Sequence, residues 1–345
     1  MLYYYIFIAI SLFCIFREER LTTRRQKSAN LVLALMPFFF LTAFKANDIG
    51  SDTSLYLQMF QEYNADDFVR GDEERIEYGY VLLNQFLYLF SHDGQIVFIT
   101  TALLSSVACY VFFLNNAKHS CLALYFFLTL GFFGFALSGT RQTISISLGM
   151  FAYPMIKQKK LLIFALLIGL AMLFHKSTFC FIPAYLVAHR SLKARQIIWM
   201  FLGALLLFFF DDTILISTAD ILKYNYGIEE TGNGYFFFAF VLFVTVMVVR
   251  ARNKILLLNS ENESIININF LSLATWTIRL ISRTAERVSL YYLPFTAVAL
   301  EEFISSKKTN KTMWKLLFVL LAAFLFLRRT GIQEDLNNYQ FFFNI

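Results

Sequence analysis

The sequence predicts an all-α polytopic integral membrane protein, and three observations carry that prediction. Hydrophobic residues make up 58% of the chain and charged residues 16%, with a mean hydropathy of +0.58. The apolar residues fall into blocks of roughly helix length. Short basic clusters separate those blocks. A chain with so little polar surface needs lipid as its solvent, and in lipid the backbone is satisfied within helices. The net charge of +6 is no nucleic-acid footprint, because acidic and basic residues lie in different loops and form no continuous basic face.

Apolar segments lie near 1–16, 28–45, 95–114, 120–138, 141–157, 160–174, 176–189, 196–210, 235–250, 266–282, 285–303 and 314–327, which predicts about twelve transmembrane helices. Orientation follows from the basic loops. Met1–Phe16 carries no charge, whereas Arg17, Arg20, Arg24, Arg25 and Lys27 follow it. A cleavable signal has its charge before the apolar stretch, so this order predicts an uncleaved helix with its N-terminus outside. The inside loops then hold Arg17–Lys27, Lys118, Lys157–Lys160, Arg190–Arg195, Arg250–Lys254 and Lys307–Lys315, most of the 30 basic residues.

The segment Tyr78–Phe90 tests this scheme. Counting it as a crossing would invert every later loop and place Lys157, Lys159 and Lys160 outside. Apolar stretches of roughly 10–14 residues are more often interfacial or re-entrant, so it is placed on the outer surface. Residues 46–94 then become a large external loop. Leu55, Tyr56, Met59, Phe60 and Tyr63 repeat there with helical spacing, which predicts an amphipathic helix lying on the membrane. A second external loop spans 211–234, and the tail Arg328–Ile345 is a third. With no internal repeat and no flexible linker, residues 1–345 read as a single transmembrane domain.

This orientation leaves Arg141, Arg283, Arg287, Arg328 and Arg329 on the outer side, against the usual charge bias. Arg141 follows Ser138-Gly-Thr140, where a guanidinium among small residues can grip a phosphate bidentately. It can equally snorkel to lipid headgroups. Arg279, Arg283 and Arg287 are spaced by four and crowd around one predicted outer hairpin. Glu286 is their one nearby acid, so a bound anion is the better explanation for three cations. His175 and Lys176 sit at the tip of a tight hairpin, where a histidine is a polar cap or a proton carrier. Asp52 is either the N-cap of the helix that follows or a carboxylate base or metal ligand. Glu77 shares that ambiguity. Cys14, Cys109, Cys121 and Cys180 lie in apolar blocks without metal spacing and read as small core residues. No histidine has a second at ligand spacing, so no metal site is predicted.

Four stretches in this order, Ile49-Gly-Ser-Asp-Thr-Ser-Leu-Tyr56, Glu77-Tyr-Gly-Tyr80, Arg141-Gln-Thr143 and His175-Lys-Ser177, resemble the EpsG/Wzy family of bacterial polysaccharide-repeat polymerases. Arg287-Val-Ser-Leu-Tyr-Tyr292 resembles the family's late Arg-to-Tyr motif. One departure is Asp48, at a position often basic in relatives. The resemblance implies a membrane glycosyltransferase with GT-C-like architecture, inverting and metal-independent, using no cofactor. It would move a growing glycan from undecaprenyl pyrophosphate onto the next lipid-linked repeat unit, at the periplasmic face of the bacterial inner membrane. The implied partners are lipid-linked oligosaccharide donor and acceptor, membrane lipids and a separate chain-length regulator, with no nucleic acid. Asp52, then His175, then Glu77 are the candidate bases. Arg141, Arg283, Arg287, Arg279 and Tyr292 are the candidate pyrophosphate ligands. The rival readings are a repeat-unit flippase, which would favour midplane charges and internal repeats, and an O-antigen ligase.

Overall fold

The computed structural model describes residues 1–66, 68, 76–190, 234–280 and 284–344. Every regular element among them is helical, and the one strand-like pairing is an isolated antiparallel bridge between Lys45 and Phe341. The helices are α1 (Leu2–Glu18), α2 (Arg24–Ala43), α3 (Thr53–Glu62), α4 (Tyr78–Tyr88), α5 (Gln95–Asn116), α6 (Ser120–Phe127), α7 (Phe133–Ser138), α8 (Thr140–Lys157), α9 (Leu161–Met172) and α10 (Pro183–Ala188). After the undescribed stretch come α11 (Tyr235–Leu258), α12 (Glu263–Arg279), α13 (Thr284–Ser289), α14 (Leu293–Ser305), α15 (Lys311–Ile332) and α16 (Glu334–Asn337). A π-helical turn, Leu128–Phe132, joins α6 to α7, and a 3₁₀ turn, Lys176–Phe181, precedes α10.

Among the described residues, three helical units are long and apolar enough to cross a bilayer: Gln95–Asn116, Ser120–Ser138 and Tyr235–Leu258. They make this a multi-pass membrane protein. The other long helices miss those limits for evident reasons. Helix α1 has 17 residues, α2 opens on Arg24, Arg25 and Lys27, and α8 carries Arg141-Gln-Thr-Ile-Ser-Ile-Ser in its first turns.

The helix ends sort into two groups. Glu18 accepts from Ser120 and the Cys121 amide, Lys315 pairs with Glu19, Asn262 donates to Asn116 O, and Lys157 pairs with Glu261. These contacts gather the described basic loops at one end of the bundle, the basic end. At the other end Met1 N donates to Asn337 O, Gln95 to Ala43 O and Tyr339 OH to Leu41 O. Arg141, His175, Arg279 and Arg287 lie at this second end. Successive long helices run between the two in alternating directions.

Lipid tails are as apolar as Leu, so packing shape and interhelical hydrogen bonds hold such a bundle rather than transfer from water. Phe7, Phe133 and Phe326 meet with centroids 4.9–5.4 Å apart, binding α1, α7 and α15. Phe112, Tyr153 and Phe295 do the same for α5, α8 and α14. Each such pair adds about 0.5–1.5 kcal/mol to its contact area. Asn30 donates to Cys14 O at 2.8 Å and Tyr125 to Val319 O at 3.0 Å, crosslinks within the apolar interior.

Three sequence expectations change. The apolar stripe of α3 divides: Tyr56, Phe60 and Tyr63 are buried in a cluster with Tyr80, Val81 and Leu87 of α4 and Val97 and Phe98 of α5, whereas Leu55 stays exposed. The segment placed at the outer surface, α4, exposes Tyr78, Leu82, Phe86, Leu89 and Phe90 at helical spacing. Arg328 and Arg329 are in the last turns of α15, not in a tail. The predicted segment 285–303 is broken at Leu290–Tyr292 between α13 and α14. The predicted span 196–210, the external loop up to position 233 and Arg283 lie outside the described residues.

Candidate functional site

A short helix with unsatisfied ends organises the site. Helix α7 stops at Ser138, leaving the Leu137 carbonyl without an intrahelical partner. Lys45 Nζ donates to that carbonyl and to Thr53 Oγ1, the latter at 2.7 Å, and it also lies 4.3 Å from the centroid of the Phe98 ring. Thr53 Oγ1 reaches the same carbonyl at 3.3 Å. A cation at a helix C-terminus is favourable both as donor and as charge. Burial nonetheless pushes the Lys45 ammonium down to a pKa of about 7, with Asp52 pulling it back up.

These bonds clamp the loop Ala46–Asp52 onto the α7–α8 junction. Gly50 makes the fit possible: its φ is +90°, and a Cβ there would lie 2.1 Å from Leu137 O. The Ser51 amide donates to Ser138 Oγ at 3.2 Å. Asp52 occupies the N-cap position of α3, yet its side chain makes no capping bond. Its Oδ1 accepts from Ser51 Oγ at 3.1 Å. The capping role open in the sequence is therefore not the one its carboxylate performs.

Glu77 stands at the N-cap position of α4 and is only 4% exposed. Its Oε2 pairs with the Arg141 guanidinium at the start of α8, and its Oε1 accepts from the Lys176 amide at 3.0 Å. One carboxylate thus joins three of the singled-out stretches. Gly79 lets α4 come this close: its amide donates to Leu173 O at 2.9 Å, and a Cβ would sit 2.7 Å from Leu173. The neighbouring Tyr80 is fully buried, its ring 5.6 Å from Tyr56. Burial raises the Tyr56 phenol pKa, and the Arg141 charge opposes the rise.

His175 caps the 3₁₀ turn. Its Nδ1 accepts from the Ser177 amide at 3.3 Å and lies 2.8 Å from Ser177 Oγ. A neutral imidazole whose Nδ1 accepts carries its proton on Nε2. Burial lowers the His175 pKa to about 4; Glu77 opposes that fall, and Arg141 and Arg287 add to it. The ring is therefore neutral at physiological pH and presents an N–H donor. Tyr291 OH lies 3.1 Å from both Ser177 Oγ and Thr178 Oγ1, which brings the late Arg-to-Tyr stretch against the histidine turn. Gln142 Nε2 donates to Arg287 O at 2.8 Å and joins α13 to α8.

Residues from all five stretches, scattered over 49–292 in sequence, therefore meet at one end of the bundle. That convergence is what a single site requires. The EpsG family matches the chain over residues 28–342. The chain belongs to the EpsG family. EpsG proteins are associated with exopolysaccharide synthesis. No curated protein and no solved structure matches the chain.

In this EpsG-family chain Glu77 joins Arg141 to the His175 turn, Arg287 is tied to α8 through its backbone carbonyl, and Asp52 bonds to Ser51 on the adjoining loop. Arg279 belongs to a neighbouring network: it is buried, and its Nε donates to Glu286 Oε2 at 2.9 Å, while Arg329 approaches the other oxygen at 3.4 Å. Glu286 thus serves two arginines. Tyr292 turns away, donating to Cys180 O from a buried position, and the tyrosine that reaches the histidine turn is Tyr291. Sequence reading missed Lys45, Tyr56, Ser177 and Tyr291 as site residues. Lys45 had a signal, a lone cation just past an apolar helix and beside the Gly-Ser-Asp stretch.

Proposed function

We propose that this protein is a Wzy-like polysaccharide polymerase, an inverting, metal-independent membrane glycosyltransferase that joins lipid-linked repeat units at the periplasmic face of the inner membrane. The observation carrying the reading is the gathering of Arg141, Arg287, His175, Glu77 and Asp52 at the end opposite the basic loops. Basic loops stay cytoplasmic, so the opposite end faces the periplasm. The alternating direction of the described helices supports a twelve-span, GT-C-like arrangement.

The donor is a growing glycan on undecaprenyl pyrophosphate, and the acceptor is a lipid-linked repeat unit. An acceptor hydroxyl oxygen bonds to the donor's anomeric carbon. The carbon–oxygen bond to pyrophosphate breaks, its electron pair leaves with undecaprenyl pyrophosphate, and the hydroxyl proton passes to a base. Asp52 is that base, since its carboxylate is not used as a helix cap. Arg141 and Arg287, joined by Arg283, stabilise the charge that develops on the leaving pyrophosphate, while Arg279 stays paired with Glu286 beside them. Donors preorganised in this way contribute about 10²–10³ each in rate. Glu77 holds the Arg141 guanidinium in place, and the His175 Nε2–H supplies one further neutral donor.

Glycolipids of a deletion strain test the reading. A polymerase loss accumulates a single repeat unit on undecaprenyl pyrophosphate at the periplasmic face. Accumulation on the cytoplasmic side would indicate a flippase instead, and full-length polymer that is not transferred to lipid A core would indicate a ligase.

A further inference from the structure

The basic end carries a concavity of its own, remote from the site described above. Between the first turns of α2 and the last turns of α5 a cavity of about 450 Å³ opens to the surface. Arg24, Arg25 and Ser28 line it from α2, and Tyr110 and Asn115 line it from α5. No carboxylate is among its lining residues. Arg24 Nη2 donates to Asn115 Oδ1 at 2.7 Å, which fixes one guanidinium at the rim, and the Ser28 and Tyr110 hydroxyls lie 2.7 Å apart. The α2 capping box is closed within itself, Thr23 and Gln26 bonding one another, so the donors left for a ligand are side chains. Asn115 Nδ2 donates to Val111 O at 2.8 Å, so the groups that suit the oxygens of a phosphate are the two guanidiniums and the hydroxyl proton left over from the Ser28–Tyr110 pair.

What lies beyond the cavity decides the source of that phosphate. From Ser28, α2 continues at helical spacing through exposed Val32, Met36 and Phe40. From Val111 in the cavity floor, α5 leads back through exposed Val107 and Leu103. The two helices pack side by side, so the cationic cavity caps an exposed apolar seam running toward the bundle centre. A free phosphate would use the cavity alone. A phospholipid would use both, its headgroup among the arginines and its chains along the seam. We infer that this is a binding site for one anionic phospholipid of the cytoplasmic leaflet.

Native mass spectrometry of the full-length protein in mild detergent tests this, with phosphatidylglycerol, phosphatidylethanolamine or inorganic phosphate added. Wild-type protein retains phosphatidylglycerol over phosphatidylethanolamine, and the double variant Arg24→Gln, Arg25→Gln lowers that retention about 10–30-fold. The charge-matched pair Arg17→Gln, Arg20→Gln, whose residues do not line the cavity, leaves it unchanged. Equal retention of the two lipids overturns the inference. So does an equal loss in the control pair, or displacement of the lipid by inorganic phosphate alone.

Discussion

At the scale of single residues, the Glu77–Arg141 pair decides most. Both groups are largely out of water, and removing one partner of a buried pair leaves an uncompensated charge that costs about 3–5 kcal/mol. The 17% exposure of the Arg141 side chain lowers that toward the bottom of the range. Glu77→Gln should therefore lower the thermal midpoint in detergent and shorten the polymer together. A variant that loses neither would remove the anchoring role. His175 gives a pH signature. Its folded pKa of about 4 lies below the 6.5 of the free group, so its contribution to stability is whole above pH 6.5 and is lost as pH falls from 6.5 toward 4. His119, lowered to about 4 chiefly by burial with Lys311, Lys118 and Lys315 adding, acts in the same window. His175→Asn should flatten part of the acid limb of a stability profile. Because the ring stays neutral, the rate profile should show no His175 inflection between pH 5 and 8; a wild-type inflection there that His175→Asn abolishes would contradict the assigned tautomer and charge.

At the scale of elements, the critical joint is the loop Ala46–Asp52 against the end of α7. Gly50→Ala forces a Cβ onto the Leu137 carbonyl, and Lys45→Met removes the donor that ties loop to helix. Both should reduce polymer synthesis strongly while the protein still inserts, measured as product length against membrane-fraction yield. Full activity in both would dissociate the loop from catalysis. The sequence announced this loop through its Gly-x-Asp pattern but hid its neighbours. The apolar stripe of α3 has the same spacing whether it faces lipid or protein, and only the folded chain shows Tyr56 beside Tyr80 and Arg141. Likewise Tyr291 and Tyr292 are indistinguishable by pattern, because the break between α13 and α14 sets which of them points toward His175.

At the scale of the whole molecule, the two ends of the bundle were legible because the bilayer imposes them. Lipid demands apolar blocks, the charge bias orders the loops, and the observed helix ends meet in the groups that those loops predicted. The exact lengths were less legible: the helix reaching Arg329 looked shorter because a span's polar flanks continue as helix beyond the apolar run. Single cysteines at Ser51 and Lys176 should label from the periplasm, and ones at Lys159 and Lys308 from the cytoplasm alone. The reverse pattern would place the site on the wrong side of the membrane for the proposed reaction.

The most direct measurement is the rate at which purified, reconstituted protein extends undecaprenyl-pyrophosphate-linked repeat units, with release of undecaprenyl pyrophosphate followed alongside. Arg141→Ala and Arg287→Ala should each slow extension and release together by about 10²–10³ in the protein that remains folded, with a lowered thermal midpoint in Arg141→Ala alone because it leaves Glu77 unpaired. Wild-type rates in both variants would contradict an arginine cluster built to receive the leaving pyrophosphate.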